Sequence, residues 1–228
     1  SNVQAGLLYH IPISGTHAHS YVLSFDSLKD IQNPILNGVN LVEEAVKVRN
    51  ENDWPEARES ELAAFIAYAI SFPKACLCLI DTFDVLKSGL PNFICVAVAM
   101  HKAGYKALGI RIDSGDLAYL SRMIKKEYIA MEEKYGVPFS SMSIVASNDI
   151  NVDVLYSLNK QNHQITSYGI GTNLVTCQGQ PALGMVFKLT DINGSPRMKL
   201  SEDPGKTTTP GKKNVYRLYG REGHAILD

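Results

Sequence analysis

The stretch KALGIRIDSGDL at residues 106–117 decides the fold, because an apolar run typical of a buried strand ends there in a cluster of small, polar and charged residues. Four other runs end in the same way. They are residues 7–13 before GTHAHS, 75–80 before DTFD, 142–146 before SND, and 164–168 before GIGTN. Groups that follow the strand ends of a β/α barrel all point at one mouth. The rhythm therefore predicts an α/β protein, an irregular β/α barrel with its chemistry on one face.

The polar residues behind these predicted strands are candidates for a single site. They are His19, Asp81, Arg111, Asp113, Asp116, Asn148, Asp149, Gly171 and Thr172. An arginine that leaves a buried run needs an anion, so Arg111 beside Asp113 suits a phosphorylated sugar with magnesium. The segment GIGTN resembles a phosphate cradle, in which glycines permit close backbone approach and Thr172 adds a hydroxyl.

Plainer interpretations stay open for two of these clusters. RIDSGDL is also the pattern of a strand end, a turn and an N-capped helix, since Asp and Ser are favoured in those places. His17 and His19 point to the same side of an extended segment and together suit a metal, as in a zinc-dependent hydrolase on a barrel. A lone histidine that caps a helix after a strand is the alternative.

Helical patterns separate the predicted strands. Apolar spacing and cap residues predict helices at 36–49, from Pro55 to Pro73, from Pro91 to Gly104, at 116–135 and at 152–159. From Gly184 onward the segments VFKLT, RMKLS and VYRLYG predict antiparallel strands. We therefore expect a partial β/α barrel catalytic domain at 1–183 and a β-rich segment of a smaller second domain at 184–228.

Composition limits the classes of function. The chain has 228 residues, of which 45% are hydrophobic, so it is able to bury one substantial core. Its net charge of −1 gives no overall field that favours nucleic acid or an acidic membrane surface. We expect neither a membrane span nor a targeting segment. The cysteines are predicted to be reduced core residues of a cytosolic protein, and they are Cys76, Cys78, Cys95 and Cys177.

Several motifs carry a resemblance to one known family. They are SNV at the start, GTHAHSYV, LIDTFDVLKSGLPNF, GIRIDSGDL, SNDI, GIGTNLVTC and PRMKLSEDPGKTTTPGKKNVYRL. Together they resemble the catalytic barrel region of the animal-type nicotinate phosphoribosyltransferases, over nearly the whole chain. The resemblance implies a type II phosphoribosyltransferase fold, an irregular α/β barrel joined to a smaller mixed domain. It also implies a homodimer with sites at the subunit interface.

The resemblance further implies a reaction. Nicotinate and phosphoribosyl pyrophosphate give nicotinate mononucleotide and pyrophosphate, coupled to ATP hydrolysis, with Mg²⁺ as the cofactor. His19 matches the histidine that ATP transiently phosphorylates, and Asp81 matches the carboxylate that orients its imidazole. Arg111 resembles the residue that flanks the pyridine and its carboxylate. Asp113 resembles the residue that reaches the ribose hydroxyls and, through magnesium, the pyrophosphate.

Other positions also match the family's binding residues. Asn148 and Asp149 fall where the family contacts ribose, while Gly171 and Thr172 fall on its 5′-phosphate loop. Three lysines of the basic segment near the C-terminus are expected to contact phosphates of ATP or pyrophosphate. These are Lys199, Lys206 and Lys213.

Size and specificity leave further expectations. A complete member of this family runs to roughly twice this length, so we expect the chain to be a fragment that is inactive alone. Nicotinamide is an alternative substrate, since half of the residues that decide between the two pyridines are expected in the part of a complete family member that this sequence does not contain. A non-catalytic nucleotide-binding or interaction module is the alternative of another class. His19, Asp81 and Asp113 argue against it, because a module that only binds has no need of a phosphate acceptor.

Overall fold

The protein is described here by a computed structural model that covers residues 2–176, 187–199 and 207–227. The chain divides into two compact units, Ser1–Met185 and Val186–Asp228. The boundary expected at residues 183 and 184 lies outside the described residues.

The first unit carries the helices of the described chain. The α-helices are α1 (Asn2–Tyr9), α2 (His19–Val22), α3 (Leu41–Glu51), α4 (Glu59–Ser71), α5 (Leu90–Lys102), α6 (Leu117–Tyr135), α7 (Val152–Asn159) and α8 (Thr172–Val175). A π-helix covers Val85–Gly89, and 3-10 turns cover Leu28–Asp30 and Phe139–Ser141. No helix among the described residues is long and apolar enough to cross a bilayer.

The strands form one parallel sheet and three antiparallel pairs in the described residues. The strands are β1 (Ile35–Leu36), β2 (Val39–Asn40), β3 (Leu77–Leu79), β4 (Gly109–Ile112), β5 (Ser143–Ala146), β6 (Ser167–Tyr168), β7 (Asp191–Ile192), β8 (Ser195–Pro196), β9 (Leu218–Tyr219) and β10 (Ala225–Leu227). The parallel sheet has the order β3-β4-β5-β6 and is open in the part of the chain that the structure describes. The predicted α/β class is confirmed, with helices between successive parallel strands.

The strand predicted at residues 7–13 is wrong. Helix α1 covers its first half, and residues 10–18 have no regular structure. A short apolar run has the same composition whether it becomes a strand or part of a helix. In the part of the chain that the structure describes, no strand pairs with this run, and Leu7 and Ile13 are 77% and 59% exposed.

Helix α3 begins later than predicted. The predicted helix at 36–49 starts instead at Leu41, because β1 and β2 form a hairpin in front of it. Its turn is Asn37-Gly38, with φ of 48° and 80°, which is the left-handed conformation that a tight hairpin turn requires. The Asn40 side chain then accepts hydrogen bonds from the backbone N–H groups of Val42 and Glu43 and so caps α3.

The core of the first unit lies between the parallel sheet and its helices. Helix α5 is buried from Leu90 to Met100, so it is covered on all sides and packs against α3 and α4. Helix α6 runs from its cap at Asp116 to Gly136, whose φ of 67° ends it. The described cysteines are free and buried, as predicted, and they are Cys76, Cys78 and Cys95. Cys177 lies outside the described residues.

The second unit contains the predicted antiparallel pairing at partly different positions. β7 and β8 form a hairpin, and β9 pairs with β10. The hairpin turns at Asn193-Gly194, with φ of 50° and 82°. β9 lies within the predicted segment VYRLYG, whereas the described parts of VFKLT and RMKLS are not strands. The β7–β8 hairpin lies between these two segments instead, because the turn signal of Asn193-Gly194 is stronger than the strand signal of either segment.

Candidate active site

The parallel register brings the polar ends of three strands together. Ile112 pairs with Ala146, so Asp113 and Ser147 both follow directly on paired residues at the same edge of the sheet. Leu79 pairs with Arg111, and Asp81 lies two residues beyond that pair. The sequence placed these groups in one site, and in the structure they converge at the carboxyl ends of β3, β4 and β5.

His19 lies at the start of α2 and faces two carboxylates. Its Nε2 is 4.0 Å from Asp81 Oδ1 and 3.8 Å from Asp113 Oδ2. Its Nδ1 is 3.1 Å from the hydroxyl of Thr82, a residue that is 4% exposed. The imidazole is therefore held from both sides, with anionic oxygens at one nitrogen and a hydroxyl at the other.

Two serine hydroxyls bind these carboxylates. Ser114 donates to Asp81 Oδ2 at 2.5 Å, and Ser147 donates to Asp113 Oδ1. Within the described chain, Asp81 Oδ1 is buried with no hydrogen-bond partner. A buried carboxylate oxygen without a donor costs free energy, and His19 Nε2, 4.0 Å away, is the nitrogen that faces it.

The charge of Asp113 is stabilised by its neighbours. Partial burial raises the pKa of Asp113, but hydrogen bonds from His19 and Ser147 and the nearby Arg111 charge more than offset it. Its pKa is therefore below the ordinary value. Arg111 lies on β4, and its Nε is buried without a hydrogen-bond partner among the described residues. An unpaired guanidinium nitrogen of this kind suits an anionic ligand.

His17 is a core residue and its geometry does not suit the metal alternative. Its Nε2 accepts a hydrogen bond from the backbone N–H of Leu79 at 3.1 Å, which uses the lone pair that a metal would need. Burial, and to a smaller extent the charge of Arg111, lowers its pKa to about 4. Its ring packs against Tyr21 and Tyr68. Beside it, the Thr16 hydroxyl donates to Leu77 O at 2.6 Å. The described residues contain no group of three side chains able to hold a metal.

A second buried carboxyl group, that of Glu61, lies close enough to Asp81 to be affected by its charge. Glu61 on α4 is fully buried and accepts hydrogen bonds from Ser88 at 2.6 Å and Asn92 at 3.1 Å. Burial raises its pKa to about 7, and the Asp81 charge contributes to the rise. Ser88 belongs to the π-helix, which approaches the end of β3 so closely that a Cβ on Gly89 would lie 1.9 Å from Ile80 O. Only glycine fits there.

The predicted ribose and phosphate residues line one cavity. The cavity is about 450 Å³ and is lined by Ser147, Asn148, Asp149, Ile150, Asn151, Gly169, Gly171, Thr172 and Asn173. Asn148 and Asp149 have φ of 87° and 49°, a left-handed bend that turns the chain sharply after β5. Ser147 lines this cavity and also binds Asp113, so the cavity adjoins the His19 cluster.

The remaining candidates are not brought to this cluster by any described contact. Asp116 is exposed, and its Oδ1 accepts the backbone N–H of Tyr119 at 2.9 Å as the cap of α6. Lys199 and Lys213 lie in the second unit, where Lys213 donates to the carbonyls of Thr209 and Gly211. Lys206 lies outside the described residues.

Sequence reasoning missed the hydroxyl groups of the site. Thr82, Ser114 and Ser147 all lie inside the motifs that supplied the carboxylates, namely DTFD, RIDSGD and SND. Each follows or precedes a recognised residue. A hydroxyl beside a carboxylate in such a cluster is the signal that points to them.

Comparison with known proteins agrees with the motif resemblance. The profile of the Nicotinate phosphoribosyltransferase (NAPRTase) family matches residues 1–222. A Dictyostelium discoideum protein named Nicotinate phosphoribosyltransferase is 51% identical over 234 residues, which is all of this chain and 40% of that protein. The Homo sapiens protein of that name is 42% identical over all of this chain and 45% of its own length.

Solved structures give the same result for the fold. The crystal structure of human Nicotinic Acid Phosphoribosyltransferase superposes with a TM-score of 0.69 at 37% identity, over 99% of this chain and 44% of that one. A nicotinate phosphoribosyltransferase from Vibrio cholerae has the same fold, with a TM-score of 0.57 at 20% identity over 92% of this chain and 44% of that one. The chain thus spans less than half the length of these proteins. On its match over 222 of 228 residues, the chain belongs to the nicotinate phosphoribosyltransferase family.

Proposed function

We propose that this chain supplies the phosphoribosyl-transfer centre of an enzyme that makes nicotinate mononucleotide and pyrophosphate from nicotinate and phosphoribosyl pyrophosphate. The observation that carries the proposal is the cluster of His19, Asp81 and Asp113 next to a cavity that is lined by Ser147, the hydrogen-bond partner of Asp113. Family membership supports the same reaction.

The charges of the site suit that transfer. As pyrophosphate leaves C1 of ribose, the sugar gains oxocarbenium character and the leaving group gains negative charge. The Asp113 carboxylate, whose pKa is lowered, is ionised at neutral pH and is suited to hold the ribose hydroxyls. The unpaired Nε of Arg111 is suited to an anionic partner, for which nicotinate and its carboxylate are the proposed ligand.

The residues also fit a magnesium ion. Mg²⁺ is bound through one or two carboxylates together with substrate phosphates and waters. Asp113, with a side chain 33% exposed, offers a carboxylate of that kind. When bound, the ion would neutralise charge on the pyrophosphate. Asp113 is the proposed ligand, through water or directly.

His19 is the proposed acceptor of phosphate from ATP. Its unprotonated ring nitrogen would attack the γ-phosphorus, the bond to ADP would break, and water would later release the phosphate. The two carboxylates beside Nε2 favour a proton on that nitrogen, which leaves the nucleophilic lone pair on Nδ1, and the Thr82 hydroxyl has to turn away from Nδ1 before that nitrogen attacks. ATP is therefore proposed as a co-substrate that drives the transfer without reacting at C1.

The cavity is the proposed site of the 5′-phosphate and the ribose. Gly171 is the residue before α8, and the backbone turn there leaves N–H groups and the Thr172 hydroxyl for phosphate oxygens. Asn148 and Asp149 are the proposed ribose contacts. Lys199, Lys206 and Lys213 remain proposed contacts for ATP or pyrophosphate phosphates, Asp116 remains a proposed substrate contact, and a cytosolic homodimer remains the proposed state.

A chimeric enzyme tests the reaction. In this chimera, called the exchange enzyme, the matching segment of the Dictyostelium relative is replaced by this chain. Product is measured with nicotinate or with nicotinamide, each in the presence of phosphoribosyl pyrophosphate and Mg²⁺, with and without ATP. We expect nicotinate mononucleotide to form, faster with ATP. The chain assayed alone shows whether it needs the remaining segments.

The other possible outcomes of this assay each favour an alternative function or role. Product from nicotinamide in preference to nicotinate would reverse the assigned specificity. Binding of substrates without product, in an exchange enzyme that folds, would favour the non-catalytic module. His19→Ala is expected to remove the ATP stimulation and leave some ATP-independent transfer, and equal loss of both activities would contradict the phosphate-acceptor role.

A further inference from the structure

Each ionisable group of the His19 cluster is held by one hydroxyl. Thr82, after β3, contacts His19. Ser114, after β4, donates to Asp81, which follows β3. Ser147, after β5, donates to Asp113, which follows β4. Each serine therefore binds the carboxylate that follows the preceding strand in the sheet order β3-β4-β5-β6.

This arrangement is unusual for serine and threonine. Most side-chain hydrogen bonds in proteins go to the backbone or to water. Ser114 is exposed, and water would satisfy it, yet its hydroxyl reaches an Asp81 that is 3% exposed. Thr82 is buried and has the His19 ring as its partner. The hydroxyls thus converge on the charged groups of one site.

The contacts select one form of the neutral His19 ring. Carboxylate oxygens only accept hydrogen bonds, so Asp81 and Asp113 favour the form with a proton on Nε2. Nδ1 is then an acceptor, and the Thr82 hydroxyl, 3.1 Å away, donates to it. Ser114 and Ser147 act on the same choice indirectly, because each binds the other oxygen of its carboxylate and so orients the oxygen that faces Nε2.

We propose that Thr82, Ser114 and Ser147 are positioning residues that hold His19 in the Nε2-protonated form and keep both carboxylates beside it. Their importance for turnover rests on the proposed function of the site, whereas their effect on the ring does not. The proposal concerns the orientation and protonated nitrogen of His19, and none of the three hydroxyls reacts in it.

Nitrogen NMR of the histidine side chains in the ¹⁵N-labelled chain tests this directly. At pH 8 an ordinary histidine is neutral, and the ¹⁵N shifts report which ring nitrogen carries the proton. We expect the Nε2-protonated form to dominate at His19. In Thr82→Val, which keeps the shape and removes the hydroxyl, the ratio of the two forms is expected to fall about fivefold, the effect of one ordinary hydrogen bond. Thr82→Ser is expected to restore it.

A matched control and a second variant separate positioning from damage. Thr166→Val makes the same chemical change where the hydroxyl contacts the Ile144 backbone, and it is expected to leave the His19 signals unchanged. Ser114→Ala removes an exposed hydroxyl and is expected to move those signals in the same direction as Thr82→Val, by less. Circular dichroism establishes that each variant is folded.

Either of two results would overturn the proposal. One is a His19 ring whose signals are unchanged in both Thr82→Val and Ser114→Ala, and the other is a ring protonated on Nδ1 in the wild type. Neither result bears on product formation by the exchange enzyme. A failure of the hydroxyl contacts is therefore distinguishable from a failure of the proposed transfer activity.

Discussion

The His19 cluster and the cavity beside it are built in opposite ways. In the cluster, Asp81 is 3% exposed and its neighbours are fixed by side-chain hydrogen bonds across strands. Along the cavity, Asn148, Asp149, Gly171 and Thr172 are exposed, and the shape comes from backbone bends. We call the His19 cluster, which is fixed by side-chain hydrogen bonds, the closed half of the site. We call the cavity, which is shaped by the backbone, the open half.

This difference matches two different tasks. Charges that act on a transition state work best when they are oriented in advance, which the closed half provides. A phosphate arrives with its own charge and needs exposed N–H and hydroxyl donors, which the open half provides. Substitutions in the closed half are therefore expected to change turnover or stability, and those in the open half to change binding alone.

The largest effect is expected from Asp113→Asn in the exchange enzyme. The change keeps the size of the side chain and removes the charge that lies 3.8 Å from His19 Nε2. Turnover is expected to fall about a hundredfold to a thousandfold, as for other groups that stabilise transition-state charge. Steady-state kinetics measures the loss, and thermal unfolding is expected to change little, because the side chain is 33% exposed.

Asp153→Asn is the control for that substitution, since it makes the same change on exposed helix α7. It is expected to leave turnover and unfolding unchanged. Near-normal turnover of Asp113→Asn would show that the closed half does not carry the chemistry.

The second effect concerns the buried support of the closed half. Burial raises the pKa of Glu61 from 4.5 to about 7, so the folded chain keeps this proton where the unfolded chain has lost it. The associated stability is complete below pH 4.5 and is lost as the pH rises through 7. The shift corresponds to on the order of 3 kcal/mol.

Glu61→Gln removes this titration and keeps the shape. Urea unfolding of the wild type and the variant at pH 4.5 and pH 7.5 isolates the Glu61 contribution as a difference of differences. The wild type is expected to lose more stability than the variant over that range. Parallel losses in the two proteins would mean that Glu61 titrates alike in the folded and unfolded chains.

A smaller effect is expected in the open half, from Thr172→Val. Loss of one hydroxyl from the cavity is expected to weaken binding of inorganic phosphate about fivefold, measured by calorimetry on the chain. Thr172→Ser keeps the hydroxyl and is expected to bind as the wild type does. Equal affinities of all three proteins would remove Thr172 from the phosphate site.

The smallest effect is expected from Asp116→Ala. Asp116 caps α6, and the loss of such a cap costs about 1 kcal/mol of stability, whereas Asp116→Asn keeps a capping side chain. Chemical unfolding measures both variants. Weaker pyrophosphate binding by both, with unchanged stability, would instead make Asp116 a binding residue.

Local signals in the sequence were sufficient for much of the fold. Four of the apolar runs contain the parallel strands. Helix α6, which begins after its cap at Asp116 and ends before Gly136, covers the range predicted for it. The run at 7–13 was misassigned because pairing with a neighbour, which a strand requires, is not visible in a single segment. The hairpin before α3 was missed although Asn37-Gly38 is a strong turn signal.

The charged residues of the site were predictable from the sequence, whereas the hydrogen bonds from hydroxyl groups to them were not. Strand-end clusters indicated that Asp81 and Asp113 converge, because parallel strands present their carboxyl ends at one edge. His19 lies beside them as expected, although the strand predicted before it is a helix followed by an irregular segment. Which hydroxyl reaches which carboxylate depends on register, such as the pairing of Ile112 with Ala146 that sets Ser147 opposite Asp113. Register between distant strands is a property of the packed sheet, and no local pattern reports it.

Among the described residues, the outer edge of β3 is contacted by two side chains and not by another strand. The Thr16 hydroxyl takes the carbonyl of Leu77, and His17 takes the N–H of Leu79. An open strand edge is a template on which a second chain adds, and aggregation begins there. Because burial lowers the pKa of His17 to about 4, the imidazole remains an acceptor down to mildly acidic pH. Thr16 and His17, in the segment that leads to His19, therefore occupy one carbonyl and one N–H group that the edge of β3 would otherwise offer to a second chain.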